Sequence, residues 1–281
     1  MTMKNIYFSD LLPEQEIDEI LKTHEIGLES IRFSIADNLD RFSETLKEEQ
    51  CRLGAFGNPP LSLHGPFLDL NPMCYDRLVR EATFTRFSQA YEAAALLGAT
   101  RIVYHSGMIP TVYYLEGWAQ RMAEFWNRFL EGKSGITVCM ENVLDRYAAP
   151  LAQVCSLVDH PDFGICLDLG HAWCYGEDPL SVWLDTLKGH IRHVHVHDNC
   201  QDRDRHLALG SGTLPYAQVI PALIRQVSAF RVQQGSPSYV QQSSSSPVQS
   251  VLSWTIECNT KDDVLRSLAA MEAFLPSTTG I

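Results

Sequence analysis

Short apolar segments recur along this chain, and several of them end in a histidine or an acidic residue. Three examples are LSLH, which ends at His64, ITVCME, which ends at Glu141, and FGICLD, which ends at Asp168. Runs of this length and composition are typical of buried strands. A residue at the end of a strand lies at the rim of its sheet, and six such residues in succession can converge only if the sheet closes on itself. The pattern therefore predicts a barrel with a metal centre at one mouth.

Strands and helices alternate along most of the sequence. The predicted strands span residues 5–8, 27–33, 61–64, 101–105, 136–141, 163–168, 191–197 and 251–257. Each is followed by a helical segment, and a chain of 281 residues has the usual length of one closed α/β barrel. An open doubly wound sheet is the alternative, but the sequence lacks a GxGxxG phosphate-binding loop. We therefore predict an α/β fold, a single (β/α)8 TIM barrel over residues 1–281.

One segment departs from this alternation. Residues 231–250, RVQQGSPSYVQQSSSSPVQS, are rich in Gln, Ser and Pro and show no apolar period. This composition predicts a flexible insertion loop between the seventh helix and the eighth strand.

Charge and cysteine content indicate which partners and which cellular compartment to expect. The formal net charge is −12, so the chain as a whole is not attracted to nucleic acid. The 8 cysteines show no CxxC spacing, which favours free thiols in a reducing compartment. The first residues carry acids where a signal peptide needs an apolar stretch, and no run approaches the ~18 apolar residues of a membrane span. We expect a cytoplasmic protein with no membrane contact.

Carboxylates and imidazoles at the strand ends are the candidate metal ligands. Glu141, Asp168, His195 and Glu257 end the fifth to eighth strands, and three carboxylates in one ring would repel each other without a cation. Oxygen and imidazole donors suit Zn²⁺, Mn²⁺ or Mg²⁺. The full candidate ligand set is His64, His105, Glu141, Asp168, His171, His195, Asp204, His206 and Glu257.

The seventh strand offers three histidines for one ligand position. Alternation along IRHVHVH places His193, His195 and His197 on the same face, and spacing alone does not choose among them. We expect His193 to be a barrel-interior histidine bonded to its neighbours. We expect His197 to contact substrate or to support a ligand.

Several segments resemble a known family. They are LHGPFLDLNP, YHSG, MENV, CLDLGHAW, HVHVHDN, DRH, LALGSG and IEC. They are similar to the xylose-isomerase-like barrels of the endonuclease IV (AP endonuclease family 2) superfamily, from the third strand to the eighth. The resemblance implies one metal on His64, His105 and Glu141, a second on Glu141, Asp168, His195 and Glu257, and a third on His171, Asp204 and His206. It also implies that His195 is the ligand from the seventh strand.

The resemblance leaves two chemistries open. Endonuclease IV-like hydrolysis of a phosphoester would use two or three divalent cations, with Glu257 or Glu141 holding or deprotonating the attacking water. The sugar isomerases and epimerases of the superfamily usually keep one cation on the quartet, and Glu141 and Glu257 would then shuttle a substrate proton. A non-catalytic binding protein is the third class. Ligand number favours the hydrolase.

The substrate is a separate question. The loop after the second strand, RFSIADNLDRF, has mixed charge and no basic cluster, which favours a small phosphorylated molecule over duplex DNA. Phe67 lies where an inserted wedge could sit, although packing on the rim is the simpler interpretation. Trp173, two residues beyond His171, is the best candidate for an aromatic residue that faces substrate.

Overall fold

Eight parallel strands close into a barrel in chain order. The computed structural model describes residues 3–234 and 252–274, and β1 pairs with both β2 and β8, which completes the ring. The strands are β1 (Ile6–Ser9), β2 (Gly27–Ser30), β3 (Leu61–His64), β4 (Arg101–His105), β5 (Thr137–Glu141), β6 (Phe163–Asp168), β7 (Ile191–Val196) and β8 (Ser253–Ile256). The predicted (β/α)8 TIM barrel is confirmed.

Helices follow every strand. They are α1 (Glu14–Thr23), α2 (Ala36–Asp40), α3 (Phe42–Ala55), α4 (Arg77–Leu97), α5 (Trp118–Leu130), α6 (Ala148–Leu157), α7 (Leu169–Tyr175), α8 (Leu180–Leu187), α9 (Tyr216–Gln234) and α10 (Lys261–Glu272). Helix α4 shows why its limits follow from the sequence. The Asp76 side chain accepts from two backbone amides at its start, and Gly98 ends it in the left-handed conformation with φ of 74°.

Two predicted boundaries differ from the structure by three or more residues, and the others by two at most. The strand predicted over 27–33 ends at Ser30, because Arg32–Ser34 form a 3₁₀ turn. The loop predicted over 231–250 begins later, because α9 continues through Gln234. The rest of that segment, 235–250, lies outside the described residues.

The apolar core lies between the strands and the helices. Tyr104 on β4 stacks on Phe87 of α4 at 4.2 Å between ring centroids, and Trp126 and Phe129 of α5 pack against the same pair. All four side chains are almost completely buried. This layer holds the strands in register and therefore fixes the positions of the residues at their carboxyl ends. Within the described ranges, no helix is long and apolar enough to cross a membrane.

Candidate metal centre

The ends of β3, β4 and β5 bring the first group of candidate ligands together. His64 Nε2 lies 3.4 Å from Glu141 Oε2, and His105 Nε2 lies 3.5 Å from the same oxygen. One donor atom from each residue falls within 4.8 Å of the other two, as ligands of a single ion must. We call this trio the first cluster.

The second cluster joins the ends of β5 to β8. His195 Nδ1 lies 3.1 Å from Glu141 Oε1, 3.3 Å from Glu257 Oε1 and 3.9 Å from Asp168 Oδ2. All four side chains are buried, and their donor atoms also fit within 4.8 Å of one another. Glu141 therefore belongs to both clusters, with Oε2 directed to the first and Oε1 to the second.

The third cluster contains His171, Asp204 and His206, and the structure adds His197 to it. The Asp204 Oδ2 atom lies 3.2 Å from His171 Nε2 and 2.9 Å from His206 Nε2. His197 stacks on His206 at 4.2 Å, with one ring nitrogen 3.2 Å from Asp168 and the other 3.5 Å from Asp204.

His197 is completely buried, and one of its ring nitrogens is close enough to the donor atoms of the third cluster to share an ion with them. Its contact with substrate stays a prediction. Gly170 makes room for this ring, because a Cβ at that position would overlap it.

Backbone carbonyls orient the histidine rings. Nδ1 of His64, His171 and His206 lies 2.9, 3.1 and 2.9 Å, respectively, from a backbone carbonyl oxygen. Because a carbonyl only accepts, Nδ1 carries a hydrogen, and Nε2 is therefore the ring nitrogen that can bind a cation once its own proton is displaced. This arrangement is the one by which outer contacts set the tautomer of a metal-binding histidine.

Several buried atoms of the three clusters lack hydrogen bonds. Among the described residues, Glu141 Oε2, Asp168 Oδ2, Asp204 Oδ1 and both ring nitrogens of His197 have no hydrogen-bond partner. Buried polar atoms are normally paired, and a cation in each cluster would satisfy the unpaired carboxylate oxygen there. The donor set therefore fits divalent cations.

In the clusters, the negative charges of the carboxylates are offset by the neighbouring histidines. Burial alone would raise the pKa of Glu141, but the neighbouring His195 and His105 hold it well below the usual range. Burial lowers the pKa of His171 and His206, yet the Asp168, Asp204 and Glu257 carboxylates outweigh it and raise them to about 10 and about 9. Protons therefore occupy these rings when no cation does, and metal binding must displace them.

A buried acid on β2, absent from the sequence prediction, supports the second cluster. Glu29 Oε1 lies 3.0 Å from His195 Nε2, on the opposite side of the ring from Glu141. Its other oxygen accepts hydrogen bonds from Ser62 at 2.8 Å and Thr255 at 3.0 Å. A carboxylate behind a histidine ligand is a usual partner in metal sites. The available signal was an acidic residue inside the short strand GLES, where all four positions are buried.

His193 occupies the interior position that we expected. Its ring nitrogens lie 2.6 Å from Ser253 Oγ and 2.8 Å from Thr255 Oγ1, and Nε2 lies 3.2 Å from Glu29. Burial lowers the pKa of this ring to about 4, so it is neutral. Its nearest partners are hydroxyls and Glu29, below the three clusters.

The two aromatic candidates lie in different settings. Phe67 stacks on His105 at 4.4 Å and meets His64 edge-on at 5.4 Å, so it packs on the first cluster. Trp173 donates from its indole nitrogen to Thr213 Oγ1 at 3.1 Å and packs partly buried against the core. Their roles in substrate binding stay predictions.

The sequence matches known proteins along most of its length. The family model described as "Xylose isomerase-like TIM barrel" matches residues 20–227. A protein of Mycobacterium leprae named "Probable endonuclease 4" is 30% identical over 184 residues, which are 60% of this chain and 70% of that protein. An uncharacterized protein of Methanocaldococcus jannaschii is 30% identical over 57% of this chain, and the match spans only 59% of that relative's length.

Solved structures share the fold at lower identity. A D-tagatose 3-epimerase-like protein superposes with a TM-score of 0.73 at 21% identity, covering 96% of each chain. The TTHB071 protein of Thermus thermophilus, soaked with ZnCl2, has a TM-score of 0.69 at 23% identity and covers 99% of each chain. The extent of the family match and the closed eight-stranded barrel lead to one conclusion: the chain belongs to the xylose isomerase-like TIM barrel family.

Proposed function

We propose that this protein is a phosphoester hydrolase that uses two or three divalent cations, Zn²⁺, Mn²⁺ or Mg²⁺, and acts on a small phosphorylated molecule. One observation carries the proposal: the two oxygens of Glu141 face different ligand clusters, so this carboxylate can bridge two cations. Bridged cations are typical of enzymes that hydrolyse phosphate esters.

Ligand number supports the same chemistry. A single cation on Glu141, Asp168, His195 and Glu257 would leave the first and third clusters without a role, although their rings are oriented by backbone carbonyls. The relatives named endonuclease 4 add support from sequence similarity.

The bound cations would polarise a phosphoryl oxygen and lower the pKa of a water molecule. We assign Glu257 as the base that accepts a proton from the attacking water. Glu257 Oε1 lies within the second cluster, 3.3 Å from His195 Nδ1, so a water molecule held by the cation there would lie beside this carboxylate. The water oxygen forms a bond to phosphorus as the bond to the leaving oxygen breaks, and solvent protonates the leaving oxygen.

The loop after β2 supports a small substrate. Arg32 lies 3.4 Å from Glu48 and 3.6 Å from Glu49, and Arg41 lies 3.7 Å from Glu44. These guanidinium groups are paired with acids and offer little net positive charge to a nucleic-acid backbone. Duplex DNA is therefore not favoured as the substrate.

A second candidate function is isomerisation or epimerisation of a sugar or sugar phosphate. Glu141 and Glu257 both approach His195 Nδ1, at 3.1 and 3.3 Å, as a pair of proton carriers around one cation could. The D-tagatose 3-epimerase-like protein shares the fold.

Metal content and activity together distinguish the two functions. We expect purified protein to bind at least two equivalents of divalent metal by elemental analysis and to hydrolyse bis(p-nitrophenyl) phosphate. His64→Ala and Asp204→Ala should each remove about one equivalent, from the first and third clusters respectively, because each loses a donor.

The contrary result is equally clear. One tightly bound equivalent that both variants retain, combined with turnover of a ketose and none of the diester, would replace the hydrolase with the isomerase.

A further inference from the structure

Exposed apolar side chains are concentrated on one side of the barrel mouth. Seven of the thirteen large hydrophobic residues that are exposed in the described structure lie in the loops after β3, β4 and β5. They are Leu68, Tyr75, Ile109, Val112, Tyr114, Leu115 and Tyr147. Scattered exposed hydrophobic residues are ordinary, but seven on three neighbouring loops beside a candidate active site indicate a binding surface.

A cleft opens within this apolar region. It has a volume of about 150 Å³ and lies between the loop after β4 and the start of α6. Its apolar lining consists of Met108, Pro110, Tyr113, Leu115, Tyr147 and Pro150. A cleft of this size holds one ring and is far too small for a folded partner.

The charged groups in the cleft wall already have partners. The Ser106 hydroxyl donates to Asp145 at 2.6 Å, and Arg146 donates to Glu177 at 2.8 Å. Neither group therefore requires a charged ligand, and the remaining wall is apolar apart from Thr111. An apolar occupant gains the most from this environment.

The cleft adjoins the candidate metal centre through Ser106. This residue follows His105 directly, and its backbone amide donates to the Glu141 carbonyl at 2.8 Å. Its hydroxyl also holds Asp145 in the cleft wall. One residue thus contacts both the strand that carries a bridging ligand and the wall of the cleft.

We propose that this cleft is a substrate subsite for a planar apolar ring attached to the phosphoryl group. The inference rests on the proposed function for the position of the phosphoryl group, and it narrows the substrate class to aryl-bearing phosphoesters. The ring enters between Tyr113 and Leu115 while the phosphoryl group lies at the metal clusters.

Two non-hydrolysable probes test this subsite by binding alone. Methylphosphonate and benzylphosphonate carry the same head group, and only the second has a ring. We expect the metal-loaded protein to bind benzylphosphonate about tenfold more tightly by calorimetry, from the apolar area that the ring buries. Tyr113→Ala and Leu115→Ala should each remove most of that difference and leave methylphosphonate binding unchanged.

Leu96→Ala is the matched control for Leu115→Ala. Leu96 is about as exposed as Leu115 but lies on α4, away from the three loops. Equal binding of the two probes, or a preference that survives both cleft variants, would overturn the subsite. A concentration-dependent dimer that Leu115→Ala dissolves would also overturn it, since the apolar region would then be an interface between copies.

The two proposals fail separately. Ring-dependent binding without hydrolysis of any phosphodiester would contradict the hydrolase function and support the subsite. Hydrolysis without ring-dependent binding would support the hydrolase function and contradict the subsite.

Discussion

Two sets of buried polar side chains meet at His195, one on each side of its ring. They differ in whether hydroxyl groups donate hydrogen bonds to their carboxylates. Below the ring, the hydroxyls of Ser62 and Thr255 donate to one oxygen of Glu29, and its other oxygen lies 3.0 Å from His195 Nε2. Hydroxyls of Ser253 and Thr255 contact both ring nitrogens of His193. Above the ring, one oxygen of Glu141 and one of Asp168 have no hydrogen bond, and neither receives a hydroxyl.

The same residue types therefore serve two purposes within one barrel. Where serine and threonine donate to the carboxylate, one Glu29 oxygen is held by two hydroxyls and the other faces only the His195 ring. Where only carboxylates and histidines face each other, unpaired acceptors remain, and their burial is costly without a cation. The difference teaches that hydroxyl donors, more than burial, separate a structural polar network from a candidate metal centre.

The largest expected effect comes from removing the Glu257 carboxylate, which lies above the His195 ring. Glu257→Gln keeps the shape of the side chain but cannot take a proton, so we expect turnover of bis(p-nitrophenyl) phosphate to fall by about 10²–10⁴-fold. Circular dichroism and thermal unfolding should show an intact fold. Activity within a few-fold of the parent would exclude Glu257 as the base.

A second test concerns Asp145, a buried carboxyl that hydroxyl and amide donors do satisfy. Burial, opposed by its Ser106 and Val143 hydrogen bonds, raises its pKa from 3.8 to about 6. At pH values between these two pKa values, Asp145 is protonated in the folded state but ionised in the unfolded state. The free energy of unfolding therefore falls as the pH rises through this range. The loss amounts to about 3 kcal/mol and is complete above about pH 6.

Asp145→Asn should abolish this pH dependence, because the amide does not ionise and its oxygen still accepts. Urea unfolding of metal-free protein at several pH values measures the difference between parent and variant. A difference that stays constant from acidic to neutral pH would show that the pKa of Asp145 is the same in the folded and unfolded states.

The smallest expected effect tests whether Glu29, below the His195 ring, supports metal binding by the carboxylates above it. Glu29→Gln should weaken metal binding about 10–100-fold, because the His195 ring loses its carboxylate partner. Competition with a chelator measures the affinity, and the visible spectrum of the Co²⁺-loaded protein reports the geometry at His195. Ser62→Ala is the matched change, since it removes only one donor to Glu29. Unchanged affinity and spectrum in Glu29→Gln would mean that the interior network is purely structural.

Much of the site was predictable because barrel topology is regular. Parallel strands place their carboxyl ends at one mouth, so ligands at the ends of apolar segments had to approach each other. Residues His64, Asp168 and Glu141 needed only this rule. The position of Glu29 was not predictable, since its contact with Thr255 joins residues 226 apart along the chain.

The place of His197 shows the same limit. Alternation put it on the inner face, but its burial between Asp168 and Asp204 depends on the loop that returns Asp204 to the barrel and on the space beside Gly170. Neither the loop path nor that space follows from a local pattern.

The amino-acid sequence alone determined the alternating elements, the closed barrel and the candidate ligands at the strand ends, because hydrophobic period and chain order act locally. The tertiary structure alone decided which ring nitrogens face the carboxylates, which buried acids are satisfied by hydroxyls, and where an apolar cleft opens at the mouth. These features depend on contacts across the barrel and between loops, and such contacts exist only after the strands have closed.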